Sequence, residues 1–184
     1  MTVDLDAEFI DLARAPTGRA MEWLIEQGVS PDIVHGGPTA GDLCGPIAVG
    51  RIAVAGGTFT FAEDAQQAFV HPVWESDGIS ITDLIAWFPA DPSRWFLRLG
   101  TGIWLGSNCV TVSHVLETPL PIRKTPLAWL AHRGHGATPL NKSAARYDVL
   151  DIELVVADVE HGNKLEAWLT VPAVRPTILI ARAA

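Results

Sequence analysis

The chain has 184 residues, 48% hydrophobic and 18% charged, with a formal net charge of −8. That length buries a sizeable core without metals or disulfides, and the composition excludes global disorder. No apolar run approaches the roughly 20 residues that span a bilayer, so no membrane partner is expected.

The N-terminus, MTVDLDAEFIDLARA, is acidic and has no signal-peptide pattern. Cys44 and Cys109 do not make a secreted disulfide framework. A cytoplasmic chain with reduced thiols is the expectation.

In chain order, residues 5–15 read as a short helix with Phe9, Ile10 and Leu12 on its apolar stripe. Residues 18–28 read as a second helix, carrying Met21, Trp23, Leu24 and Ile25 and closed by Gly28. Ser30-Pro31-Asp32 marks a further helix start, with Ser as N-cap and Pro at the first helical position. Residues 36–50 are rich in Gly and Pro and read as a loop.

From residue 51 the pattern is that of strands. RIAVAGG and TFTFA flank a Gly-Gly turn, and AFVHPVWE and ISITDLIAWF flank Ser76-Asp77-Gly78. In the latter strand Ile79, Ile81, Asp83, Ile85 and Trp87 alternate, which predicts one shared face. RWFLRLG adds a strand and completes a curved antiparallel sheet. TPLAWLAHRG then reads as a helix, GATPL and ELVVAD as strands, VEHGNKLEAWL as a helix and TILIARA as a last strand. The final strand–helix–strand unit predicts a parallel pair.

The fold class is therefore α+β in one domain, 1–184. Its parts are a helical element over 1–35, an antiparallel sheet over 51–100 and an α/β part over 125–184.

Charge is unevenly spread. Residues 1–92 hold three Lys/Arg against 14 Asp/Glu, whereas 94–146 hold seven against Glu117 alone. Arg94, Arg98, Arg123, Lys124, Arg133 and Arg146, with Trp95, Trp104 and Trp129 among them, form a candidate nucleic-acid surface. The competing reading is that the two halves' charges neutralise each other in the fold.

Asp158, Glu160 and His161 stand at a strand–helix junction. There they could hold Mg²⁺ and act as catalytic groups, or serve as helix N-cap, first-turn acid and partner of Lys164. Cys109, His114, His132 and His135 are zinc-ligand types, though they lack the paired cysteines of structural sites. GTGIWLG, residues 100–106, exceeds the dinucleotide fingerprint by one residue and reads as turn glycines. Ser107 and Ser113 lie near His114 without a nucleophile elbow.

Two stretches resemble phage and plasmid DNA primases. AMEWLIEQGVSPDIV, residues 20–34, is similar to the helical element that precedes their Toprim domain. AFVHPVWESDGISITDLIAWFP, residues 68–89, is similar to the hairpin that follows. The nearest match to the Toprim D-x-D-x-x-G is Asp158-Val159-Glu160-His161-Gly162, one residue short.

The resemblance implies a remnant or accessory relative from the replication neighbourhood of a mobile element. With the basic stretch 94–146, the expectation is a non-enzymatic accessory protein of phage or prophage type that binds single-stranded nucleic acid or a replication protein through those residues. The alternatives are a Mg²⁺-dependent Toprim-like phosphoryl-transfer enzyme and a pure interaction module using the acidic first half.

Overall fold

A computed structural model of the chain describes residues 3–12, 14, 18–34 and 46–170. It has the expected α+β architecture. Helices α1 (Leu5–Leu12), α2 (Arg19–Glu26) and α3 (Pro31–Val34) open the chain. Strands β1 (Ala48–Ala55), β2 (Thr58–Phe61), β3 (Gln66–Trp74), β4 (Ile81–Phe88) and β5 (Asp91–Leu97) follow.

The third part runs β6 (Trp104–Leu105), α4 (Ser107–Leu116), β7 (Leu120–Pro121), α5 (Pro126–Ala131) and β8 (Thr138–Pro139). Then come α6 (Lys142–Ala145), a 3₁₀ turn (Arg146–Val149), β9 (Leu154–Val155) and α7 (Val159–Leu169).

The first five strands close into a barrel in the order β1-β2-β5-β4-β3. Every neighbour pair is antiparallel except β2 and β5, which meet in parallel at the single pair Thr58–Leu97. Alternation along β3 and β4 splits the core between the two faces of the barrel wall. Phe69, Val73, Ile85 and Trp87 pack with Leu24, Ile33 and Trp129 from the helices. Ala68, Val70, Leu84 and Ala86 pack with Ile52, Phe59 and Phe96, and Leu5 of α1 joins them. Leu24 is fully buried, so truncating it to Ala would cost about 2–5 kcal/mol.

A third cluster around Trp104, Leu120, Ile122, Val149 and Leu165 joins β6, α4, β7, the 3₁₀ turn and α7.

Local chemistry sets the boundaries. Thr125 caps α5 by accepting the Ala128 N–H at 3.0 Å, with Pro126 in the first turn. Asn141 caps α6 and Asp158 caps α7, the latter accepting the His161 N–H at 2.8 Å. Asp77 closes the β3–β4 turn by accepting the N–H groups of Ile79 and Ser80.

Several expectations are corrected. The first helix stops at Leu12, and Arg14 instead bridges Val49 as a short extension of the sheet. Within the expected loop 36–50, residues 48–50 belong to β1 and 36–45 lie outside the described residues. Strand β5 begins at Asp91 rather than Arg94.

The alternation from Ile79 to Trp87 breaks because the register shifts between Val73 and Trp74, which pair Asp83 and Ile81. That bulge turns Ile81 to the cluster of Leu84 and leaves Ile79 exposed. ELVVAD contributes only β9, with Val155 exposed, and its parallel partner is β7. The expected last strand and Cys44 lie outside the described residues.

Candidate functional site

Where the turn end of the β3–β4 hairpin meets β6, α4 and the 3₁₀ turn, a groove of about 590 Å³ forms. That volume is typical of ligand sites. The barrel supplies Trp74, Glu75, Ser76 and Thr82. Thr101, Ile103 and Trp104 form the floor, α4 presents Ser107, Thr111, His114 and Val115, and Tyr147, Asp148, Leu150 and Asp151 form the far wall.

A buried carboxylate builds the floor. Asp83, on β4, accepts the N–H groups of Leu84 at 2.8 Å, Leu99 at 2.9 Å, Thr101 at 2.7 Å and Gly102 at 2.9 Å. Folding the 98–102 segment around one side chain replaces a strand ladder with a charge-assisted cradle. Gly102 leaves room for it, because a Cβ there would press on that of Asp83 at 3.2 Å. The Thr101 hydroxyl adds a bond to the Thr82 carbonyl at 2.8 Å, tying floor to barrel.

Trp104 continues from this segment, is buried and donates its indole N–H to Asp148 at 2.9 Å. That bond fixes the far wall against the floor. Ser107 donates to the Trp74 carbonyl and so is committed to structure.

The rim is unusually apolar for an exposed surface. Val115 is 73%, Tyr147 70% and Leu150 65% exposed, and all three line the groove. Three carboxylates, Glu75, Asp148 and Asp151, line it too, with His114 and, among the described residues, no Lys or Arg. Arg146 stands just outside, its guanidinium 5.9 Å from the Tyr147 ring. Groove and rim thus combine negative charge with aromatic and aliphatic surface, the environment that holds a cation with an apolar neighbour.

Of the residues the sequence singled out, Trp104, Ser107 and His114 lie in this groove. Cys109 is on the same helix, but its thiol faces the Gly134 carbonyl at 3.6 Å, and burial pushes its pKa up. His132 Nδ1 is bound to the Ala128 carbonyl at 2.8 Å, and His135 is exposed. Among the described residues no three His, Cys, Asp or Glu side chains form a metal-binding group.

Asp158 and Glu160 are engaged by cations. Lys124 contacts Asp158 at 2.7 Å and, with the His161 N–H, holds its carboxyl below the ordinary range. Lys164 contacts Glu160 at 2.6 Å and does the same. Burial, then Lys124, lowers the His161 pKa. The set at this junction fits a capped helix start better than a Mg²⁺ site, which wants several converging oxygen ligands.

The basic candidates are spread over several elements. Arg98 forms a forked pair with Glu8 of α1, its shortest contact 2.7 Å, with both side chains mostly buried. Arg133 faces Asp32 of α3 at 3.6 Å. Arg94 lies over the Phe96 ring at 5.2 Å, and Arg123 donates to the His135 carbonyl at 3.0 Å. Arg146 has a buried Nε with no hydrogen bond. Two of these contacts reach into the acidic first half, as charge neutralisation requires.

Gly100 and Gly106 of GTGIWLG both have positive φ, so they act as turn glycines. The groove itself was missed in the sequence. Trp74 and Asp148 are 74 positions apart, and the sequence marked only Trp104, Ser107 and His114 of its lining, each for another role.

No protein-family model, no curated protein and no solved structure matches the chain. Among the described residues, no helix is long and apolar enough to cross a membrane.

Proposed function

We propose that this chain is a binding protein that takes a basic, partly apolar segment of a partner protein into the groove between barrel and α4. The observation that carries this is the lining of three carboxylates without a Lys or Arg among the described residues, beneath an exposed rim of Tyr147, Leu150 and Val115. A Lys or Arg side chain would set its charge beside Asp148 and Asp151 and its stem against Tyr147. Apolar neighbours in the segment would cover Val115 and Leu150. The accessory role inferred from the sequence is kept in this form, with a protein as partner.

The nucleic-acid reading has less support. Arg98, Lys124 and Arg133 are each engaged with a carboxylate, and a phosphate would have to compete with it.

Fluorescence anisotropy tests the proposal. A labelled ten-residue peptide of alternating Lys and Leu should bind saturably, with affinity falling as salt rises. Asp151→Asn combined with Glu75→Gln should weaken it about tenfold. Equal binding of a Glu/Leu counterpart, or indifference to the double substitution, would overturn the groove assignment.

A further inference from the structure

Arg14, Arg19 and Arg51 are the only Lys or Arg residues in the first 92 positions, where 14 Asp and Glu stand. All three line one cavity of about 870 Å³. Their convergence follows from the fold. Arg14 is bridged to Val49 of β1, Arg51 lies two residues further along that strand on the same face, and Arg19 is the first residue of α2.

Among the described residues, none of the three forms an ion pair, although Asp11 and Glu63 line the same cavity. Arg51 spends one N–H on the Ala65 carbonyl at 3.2 Å and keeps the others. The N-cap of α2, Gly18, provides no side-chain acceptor for the first-turn N–H groups beside Arg19, though Glu22 stands in the same turn. Three guanidiniums in one concave site, without an ion pair among the described residues, are the chemistry that recognises phosphate.

A second cavity of about 300 Å³ abuts the first and shares Arg19, Ala20, Val49 and Gln67 with it. Its other walls are apolar, with Trp23 stacked on Phe69 at 5.6 Å between ring centroids, and Pro89 beside them. A charged chamber opening onto an aromatic slot suits a molecule with phosphate at one end and a flat ring at the other.

We infer that the two cavities form one binding site for a nucleotide. The phosphates lie on Arg14, Arg19 and Arg51, the base lies against Trp23, and the Gln67 amide is placed between them. Asp11 and Glu63 offer acceptors for sugar hydroxyls. This site is separate from the groove and independent of the partner reading.

Calorimetric titration of the full chain at low salt tests the assignment, first with inorganic pyrophosphate and then with ADP, GDP, CDP and UDP. Pyrophosphate should bind at one site, and at least one nucleoside diphosphate about tenfold more tightly. Arg19→Gln and Arg51→Gln should each weaken both ligands about five- to tenfold, whereas Arg94→Gln should change neither. Trp23→Phe should weaken the nucleotides and leave pyrophosphate unchanged. Melting curves identify any variant that fails to fold, and Arg19→Lys, which keeps charge but loses the fork, then serves in its place with a smaller loss.

Absence of saturable pyrophosphate binding, or an equal effect of Arg94→Gln, would overturn the phosphate site. Nucleotides binding no better than pyrophosphate would overturn the base slot. Tighter binding of a single-stranded oligonucleotide, lost in the same variants, would reassign the site to nucleic acid and overturn the small-molecule reading.

Discussion

His71 accepts the indole N–H of Trp87 at its Nε2, 3.3 Å away, with both side chains fully buried. An indole can only donate, so Nε2 must be bare and the imidazole neutral with its proton on Nδ1. That Nδ1 has no hydrogen-bond partner, and the ring stacks near Trp129. Protonating Nε2 would place a charge in an aromatic core and remove the acceptor that Trp87 needs.

Acid sensitivity follows. Burial lowers the His71 pKa from 6.5 to about 3. Between those values the unfolded chain binds a proton that the folded one refuses, so stability is full above pH 6.5 and falls towards pH 3. The loss reaches on the order of 5 kcal/mol at the acid end. His161 is shifted the same way and adds to the slope. Melting temperature measured from pH 7 to pH 4 should fall, and His71→Leu should flatten most of that fall while costing about 1–3 kcal/mol at pH 7 for the stranded Trp87 N–H. A wild-type profile flat over that range would refute the argument.

The Asp83 cradle should be irreplaceable. Asp83→Ala strands four backbone donors, two of them on Thr101 and Gly102 in the groove floor. A loss of at least about 3 kcal/mol is expected in urea denaturation. Any remaining folded protein should also bind the Lys/Leu peptide more weakly, because Ile103 and Trp104 are positioned by that floor.

Two glycines separate backbone strain from collision. Gly57 has φ +90° with nothing within 4 Å of an added Cβ, so Gly57→Ala should cost only about 1–2 kcal/mol. Gly106 has φ +84°, but its added Cβ would lie 2.4 Å from the Gly136 carbonyl oxygen and 2.8 Å from Trp129 Nε1. Gly106→Ala must shift backbone and should cost several kcal/mol more by the same denaturation assay, roughly the range of severe core substitutions.

Asp158→Ala tests what the carboxylate does. The loss of an N-cap should lower the melting temperature by about 2–4 °C. The lowered pKa of Asp158 gives the sign of its pH dependence: its contribution is present above the ordinary carboxylate range and fades as acid protonates it. Millimolar Mg²⁺ should leave the melting temperature of the wild-type chain unchanged. A Mg²⁺-dependent rise that Asp158→Ala abolishes would restore the metal-site reading.

The sequence was most legible where one local rule acts alone. Thr125-Pro126 announces α5, Asp77-Gly78 announces a turn, and Asp158 with Glu160 and Lys164 announces a capped helix; each is found in place. It was least legible where distant segments decide. Helix α4, SNCVTVSHVL, has two central Val and no acidic first turn, and it is helical because Val110 packs into the third cluster. The bulge opposite Trp74 left no mark that alternation could register. Glu8 and Arg98 lie 90 positions apart, so charge counting could suggest neutralisation without naming its partners. The groove needed all of these at once.

The barrel closes through one parallel pair, Thr58 and Leu97, whereas β3 and β4 are joined along six. Topologically it is a ring, but mechanically it is a sheet held shut by a clasp. Deuterium should enter first along β2 and the end of β5, and last along β3 and β4. A slip at that clasp would bare two strand edges at once, and the Glu8–Arg98 fork, one residue beyond Leu97, is placed to resist it.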